Sequence, residues 1–356
     1  MLARWIDVRP QERQPVRILL AFAFCLGLAQ VFLASAAISL FLDVWPATLL
    51  PIGYLGVGIA LPLVGWGYSA LERRVDLPRL LLINLVAAAL SLLLWRWLIE
   101  LPWRGWVLLL YIWWSVVWSL INLALWGLVG RMFNVRQSKR LNGVVGAGEV
   151  LAMVIGGLST GHLARPPGAA HLPPPCVAAI GLAVIVLGRL VVRHRDLLTA
   201  QEDAGDSGSE LAISAQFKDG YLRLIFVNSG LAWLVYYVID NAFFSLASAR
   251  YPDADAMAGL VGRMDAVVGV LLLVSRLLLT APLLSSFGVR GGLLSIPLVI
   301  GGGAAGVVVC SHLDAPALLI FVLAAAVKVG EAVCRDSIFR ATLQVLYQPL
   351  PASRRL

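Results

Sequence analysis

Charge is scarce in this sequence. Lys, Arg, Asp and Glu make up 13% of the 356 residues, while 60% are hydrophobic; a soluble domain is closer to a quarter charged. That balance excludes an ordinary soluble fold and a disordered chain. Histidine is also rare: His162, His171, His194 and His312 are scattered. The four cysteines, Cys25, Cys176, Cys310 and Cys334, show neither metal-site spacing nor a paired framework, and read as small buried hydrophobes. No nucleophile stands beside a base. The expectation is a protein with no enzymatic activity, no metal and no cofactor. A cleavable signal peptide is not visible either: the N-terminus is polar and arginine-containing, and the first apolar block is too long for a signal core.

Long apolar blocks are plentiful. Ten candidate spans fall near 16–42, 47–71, 78–99, 104–130, 141–163, 173–193, 221–248, 258–286, 289–311 and 315–346. Each is long enough to cross a hydrocarbon core of about 30 Å as a helix. Helix is required because an open sheet leaves backbone groups unpaired in lipid. Pro51, Pro62, Pro282 and Pro297 predict kinks. The fold class is therefore all-α, a polytopic membrane protein.

The net charge of +8 points to membrane orientation and not to nucleic acid. With the N-terminus inside, twenty of the 28 cations fall in cytoplasmic segments. Only Arg96, Arg104, Arg165 and Arg250 fall outside, and four more lie within or at the ends of spans. The bias predicts both termini in the cytoplasm of a cell (inner) membrane protein. It also places the densest cluster, Arg131, Arg136, Lys139 and Arg140, on the cytoplasmic side between spans four and five. There it meets anionic lipid headgroups or latches helices together. Residues 194–220 carry six acids with Gly and Ser, and read as a cytoplasmic linker. The predicted organisation is a six-helix bundle over 1–193, the linker 194–220, and a four-helix bundle over 221–356.

Few charges lie inside the spans, which makes each one informative. Glu149, about two turns into span five, either lines a translocation path or partners the cations preceding it. It lies within a glycine-rich stretch (Gly143, Gly146, Gly157, Gly161) whose one G-x-x-x-G predicts close helix packing. That stretch is not a dinucleotide loop, since Leu151 stands where the third glycine belongs. In span seven Asp240 shares a face with Trp233, Tyr236, Tyr237 and Phe244, an aromatic wall that either holds a substrate or simply packs. Span eight carries Asp265 and Arg276, and Arg276 is either an anion-binding residue or half of a charge pair. Span ten carries Lys328, Glu331, Arg335, Asp336 and Arg340 at i, i+3 and i, i+4 spacings, a ladder able to neutralise itself. In span four Tyr111, Trp114, Trp118 and Asn122 share a face. Glu149, Asp240, Arg276 and Lys328 are the candidate cavity charges.

The stretch "FNVRQSKRLNGVVGAGEVLAMVIGGL" (133–158) resembles the fourth-to-fifth loop of the ATP/ADP antiporter family, the nucleotide transporters placed in the major facilitator superfamily. "IDVRPQERQPVRILL" (6–20), "IDNAFFSLASARYPDADAMAGLVG" (239–262) and "DSIFRATLQVLYQPLP" (336–351) are similar to other parts of the same family, collinearly. The resemblance implies two six-helix halves around a midplane cavity, twelve helices in all, and alternating-access transport of a nucleotide or other organic anion. Against that pattern the chain ends two helices early, which implies missing C-terminal helices or a separate partner domain. Helix one also departs: "AQVFLASAAISLFLDVW" (29–45) has no cation, where nucleotide exchangers carry one. "GYSALERRVDLPR" (67–79) keeps the arginines of the superfamily's gating motif without its Asp-Arg-x-Gly core. The alternative is a non-transporting membrane scaffold, a sensor module, or an inactive transporter fragment.

Overall fold

A computed structural model describes residues 9–133, 135–164, 168–193 and 220–347. Among them there is no β-strand. The helices are α1 (Arg13–Val44), α2 (Leu50–Glu72), α3 (Leu77–Leu98), α4 (Gly105–Met132), α5 (Val135–Leu163), α6 (Pro173–Arg193), α7 (Gly220–Arg250), α8 (Ala254–Val274), α9 (Thr280–His312), α10 (Ala317–Cys334) and α11 (Arg340–Tyr347). Ten stretches are long and apolar enough to cross a membrane, so the chain is a multi-pass helical membrane protein. Residues 194–219, most of the expected linker, lie outside the described residues.

Helix limits follow local chemistry. Proline in the first turn starts α2 and α3, where its missing N–H costs nothing. Pro62 and Pro297 sit inside α2 and α9, but the break in α9 comes at Gly288 (φ 59, ψ −158). Only glycine adopts that conformation freely, and it falls where the sequence separates spans eight and nine. Two π turns, Ser275–Leu279 and Arg335–Phe339, join α8 to α9 and α10 to α11. The helix α5 begins at Val135, so Arg136, Lys139 and Arg140 stand on its first turns instead of in a loop.

The chain divides into two compact units: residues 1–204 with 251–269, and residues 205–250 with 270–356. The helix α8 thus begins in the first unit and ends in the second.

In the first unit α1 is central, packing on α4, α5 and α6 and burying Leu19, Phe22, Leu26, Leu33 and Phe41. Small residues set the spacing. A methyl group at Gly148 would sit 2.5 Å from the Leu20 carbonyl oxygen, and one at Gly27 would sit 2.7 Å from the Ala152 Cβ. On its other side α5 meets α8. A methyl at Gly262 would lie 2.6 Å from the Gly157 carbonyl oxygen, and Gly161 faces Gly259. The predicted G-x-x-x-G is this second contact. Gly143 plays no such part, since open space surrounds the position of its Cβ.

In the second unit α10 packs on both α7 and α9. The two π turns touch through the Ser275 and Ser337 hydroxyls, 2.9 Å apart. Outward-facing residues such as Leu55, Leu63 and Trp66 are mostly exposed, as expected for surfaces that lipid solvates.

Candidate functional site

The densest group of charges inside a span lies in the second unit, between α7 and α10. Asp240 is 4% exposed, and the Lys328 ammonium donates to its Oδ1. Asp240 stands ten residues from the end of α7, and Lys328 eleven from the start of α10. At 1.5 Å per residue both stand roughly 15–16 Å along their helices from these ends, about half the thickness of a hydrocarbon layer of roughly 30 Å. The sequence nominated both residues, and the fold brings them together.

Aromatic rings close around the cations. The Lys328 Nζ is 4.7 Å from the Phe244 ring centre, 5.4 Å from Phe243 and 5.7 Å from Tyr236. The Arg335 Cζ is 4.8 Å from the Tyr236 centre and 5.3 Å from Trp233. Ring faces are electron-rich, so a desolvated cation over them is stabilised by about 2 kcal/mol. The predicted aromatic wall of α7 thus serves as the lining of two cation sites. Tyr236 belongs to both.

The ladder on α10 forms in part as its spacing predicts. Arg335 Nε donates to Glu331 Oε1 at 2.8 Å, and Arg340 pairs with Asp336 at 3.2 Å. Lys328, however, reaches across to α7 instead of along its own helix to Glu331. Glu331, 1% exposed, belongs to the site on this geometry; the i, i+4 spacing to Arg335 was the signal for it. Arg276 lies in the π turn after α8, where its Nη2 donates to the Asp336 carbonyl oxygen at 3.1 Å. A π turn leaves a carbonyl without its usual helical donor, so this contact ties the two π turns together.

Glu149 is in the first unit, half-buried on α5. Its backbone lies against α1, where a methyl at Gly27 would come 3.1 Å from its Cα. The carboxylate that holds Arg140 is Glu12, in a short 3-10 turn (Pro10–Glu12) ahead of α1. Arg140 Nη2 lies 2.7 Å from both Glu12 oxygens, Gln137 donates at 3.0 Å, and the Arg9 amide donates at 3.1 Å. Arg131 pairs instead with Glu72 of α2 at 3.6 Å. The side chains of Arg136 and Lys139 lie outside the described residues. Sequence reading missed Glu12; its one signal was a Pro followed two residues later by an acid, a helix-start pattern.

Burial pushes the Glu12 carboxyl up, but the Arg9 amide, the Gln137 amide and the Arg140 guanidinium together bring it below the ordinary carboxylate value. A lowered pKa stabilises the contact above the unfolded value, and the stability is lost as pH falls through the lowered one. Protection of the amides of residues 9–20 against hydrogen exchange, taken relative to the intrinsic rate at each pH, should be unchanged from pH 7 to 5 and should fall below about pH 4. In Glu12→Gln the protection should be low at every pH; wild-type protection in that variant at neutral pH would dismiss the latch.

Other buried polar atoms have no hydrogen-bond partner among the described residues: Gln30 Nε2 and Ser35 Oγ on α1, and Trp114 Nε1 on α4. The predicted face of α4 splits. Tyr111 packs on Phe41 with ring centres 5.1 Å apart, and Trp118 and Asn122 line a separate pocket. Among the described residues no three His, Cys, Asp or Glu side chains are placed to hold a metal ion.

No protein-family model matches this chain, and no curated protein matches it significantly.

Proposed function

We propose that this protein is a secondary transporter of the inner membrane, moving a small organic anion by alternating access. One observation carries the reading: a buried Asp240–Lys328 ion pair at mid-depth, wrapped in aromatic rings. Burying two charges costs several kcal/mol per ion, and well-packed apolar side chains of similar volume stabilise as well or better. An ion pair in that position is therefore a poor device for holding two membrane helices together. It is a good one for admitting a charged solute. The resemblance of residues 133–158 to nucleotide antiporters supports the same reading, and ten long apolar helices are compatible with a major facilitator bundle.

The pairing constrains the cargo. An anion that seats on Lys328 displaces Asp240 and leaves a buried carboxylate. The anion must then bring a proton or another cation with it. A triphosphate fits poorly, since residues 29–45 of α1 carry no cation, where nucleotide exchangers have one. A nucleoside monophosphate or an organic acid fits better.

Uptake by proteoliposomes, with labelled nucleotides and organic acids presented with and without a proton gradient, tests this. Saturable uptake should appear for at least one anion and fall at least tenfold in Asp240→Asn. An absence of flux for every solute would favour a second reading, a membrane scaffold or sensor module. One observation supports that alternative: Lys328, Arg335 and Arg340 each already have a carboxylate partner, so the cluster is balanced without a solute.

A further inference from the structure

A second site lies in the first unit. Between α2 and α4 is a pocket of about 370 Å³, lined by Tyr68, Trp118, Asn122 and Trp126, with Glu72 and Arg131 at one end. Gly127 lines it as well, and nothing lies within 4 Å of where its Cβ would be. The pocket has an apolar aromatic part and a charged end, which is the division of a lipid's upper part.

Three observations favour a lipid over a soluble anion. First, the wall of the pocket is itself apolar and open to the surrounding surface: Leu123, which lines it, is 44% exposed. An occupant with hydrocarbon tails continues onto that surface, and a soluble anion does not. Second, the Arg131–Glu72 pair is loose. Its 3.6 Å separation exceeds a hydrogen bond, and the side chains are 32% and 45% exposed. Such pairs contribute about 0–1 kcal/mol, so a phosphate can replace Glu72 at small cost. A guanidinium binds phosphate more strongly, through two parallel donors. Third, Arg73 and Arg74 follow Glu72 directly and are exposed, which adds positive charge at the same end. The charge count of the whole chain puts that end on the cytoplasmic face, where anionic lipids give a negative surface.

We infer that this pocket binds one anionic phospholipid, its phosphate on Arg131, its ester region against Trp126 and an acyl chain running up to Trp118. Glu72 is the internal stand-in that the phosphate displaces. The site is independent of any transported solute.

Vesicles containing the full chain test it. Acyl-brominated phosphatidylglycerol or phosphatidylcholine quenches nearby indoles on contact. Subtracting the emission of a Trp118→Phe/Trp126→Phe variant isolates the two pocket tryptophans. Their quenching should show about a fivefold preference for phosphatidylglycerol, the effect of one cation near an anionic surface. Arg131→Gln should abolish the preference and Arg131→Lys should keep part of it. Glu72→Gln removes the competing carboxylate and should raise it, which guards against reading a misfolded Arg131 variant as support. Equal quenching by the two lipids, or an unchanged preference in Arg131→Gln, overturns the proposal. So does loss of the preference on adding inorganic phosphate, which would make the pocket a soluble-anion site.

Discussion

Lys328→Met alone should destabilise the second unit by about 3–5 kcal/mol, the cost of leaving one member of a buried ion pair without its partner. The residue left behind is Asp240, 4% exposed, with aromatic rings in place of water. The double variant Asp240→Asn/Lys328→Met should recover most of that loss, because a neutral amide beside a thioether needs little solvation. Thermal unfolding in detergent, followed by loss of monodisperse protein, measures each. If Lys328→Met unfolds with the wild type, the pair is more hydrated than its burial indicates. The double variant also separates structure from activity. It should fold, yet carry no anion, since no cation remains beside the Phe243 and Phe244 rings. Full uptake by the double variant would remove Lys328 from the transport path.

Gly262→Ala should be the second large effect. The added methyl group would lie 2.6 Å from the Gly157 carbonyl oxygen and 2.7 Å from the Thr160 Cβ. Both are fixed parts of α5, so no flexible side chain can swing aside. The helices α5 and α8 must separate, and overpacking of this kind costs about 1–3 kcal/mol. Membrane helices associate by close van der Waals packing, with no hydrophobic drive from lipid, so the lost contact is not offset. Gly143→Ala is the control within the same helix. Nothing surrounds that position, and alanine favours a helix over glycine by about 1 kcal/mol. It should be neutral or slightly stabilising. Equal unfolding temperatures for the two variants would mean that the α5–α8 contact is not held at glycine distance.

Much of the architecture was legible in the sequence. A hydrocarbon layer demands about 20 apolar residues per crossing and forbids unpaired backbone. Ten such runs therefore imply ten spans, and ten stretches long and apolar enough to cross are present among the described residues. Contacts within one helix were legible too. Glu331–Arg335 and Asp336–Arg340 form as their four-residue spacing requires, and the aromatic stripe of α7 stands on one face. Asp240 and Lys328 could be singled out because a charge amid apolar residues is conspicuous.

What the sequence could not determine was who meets whom across helices. Lys328 takes Asp240, 88 residues away, over Glu331, three residues away. Arg140 takes Glu12 in the turn ahead of α1, 128 residues back, and not Glu149 of its own helix. Gly157 finds Gly262, and Gly143 finds nothing. Spacing along a helix fixes the angle between two side chains. The rotation and depth at which two helices dock depend on every small and large residue of both surfaces at once, so cross-helix partners were decided only when the helices packed.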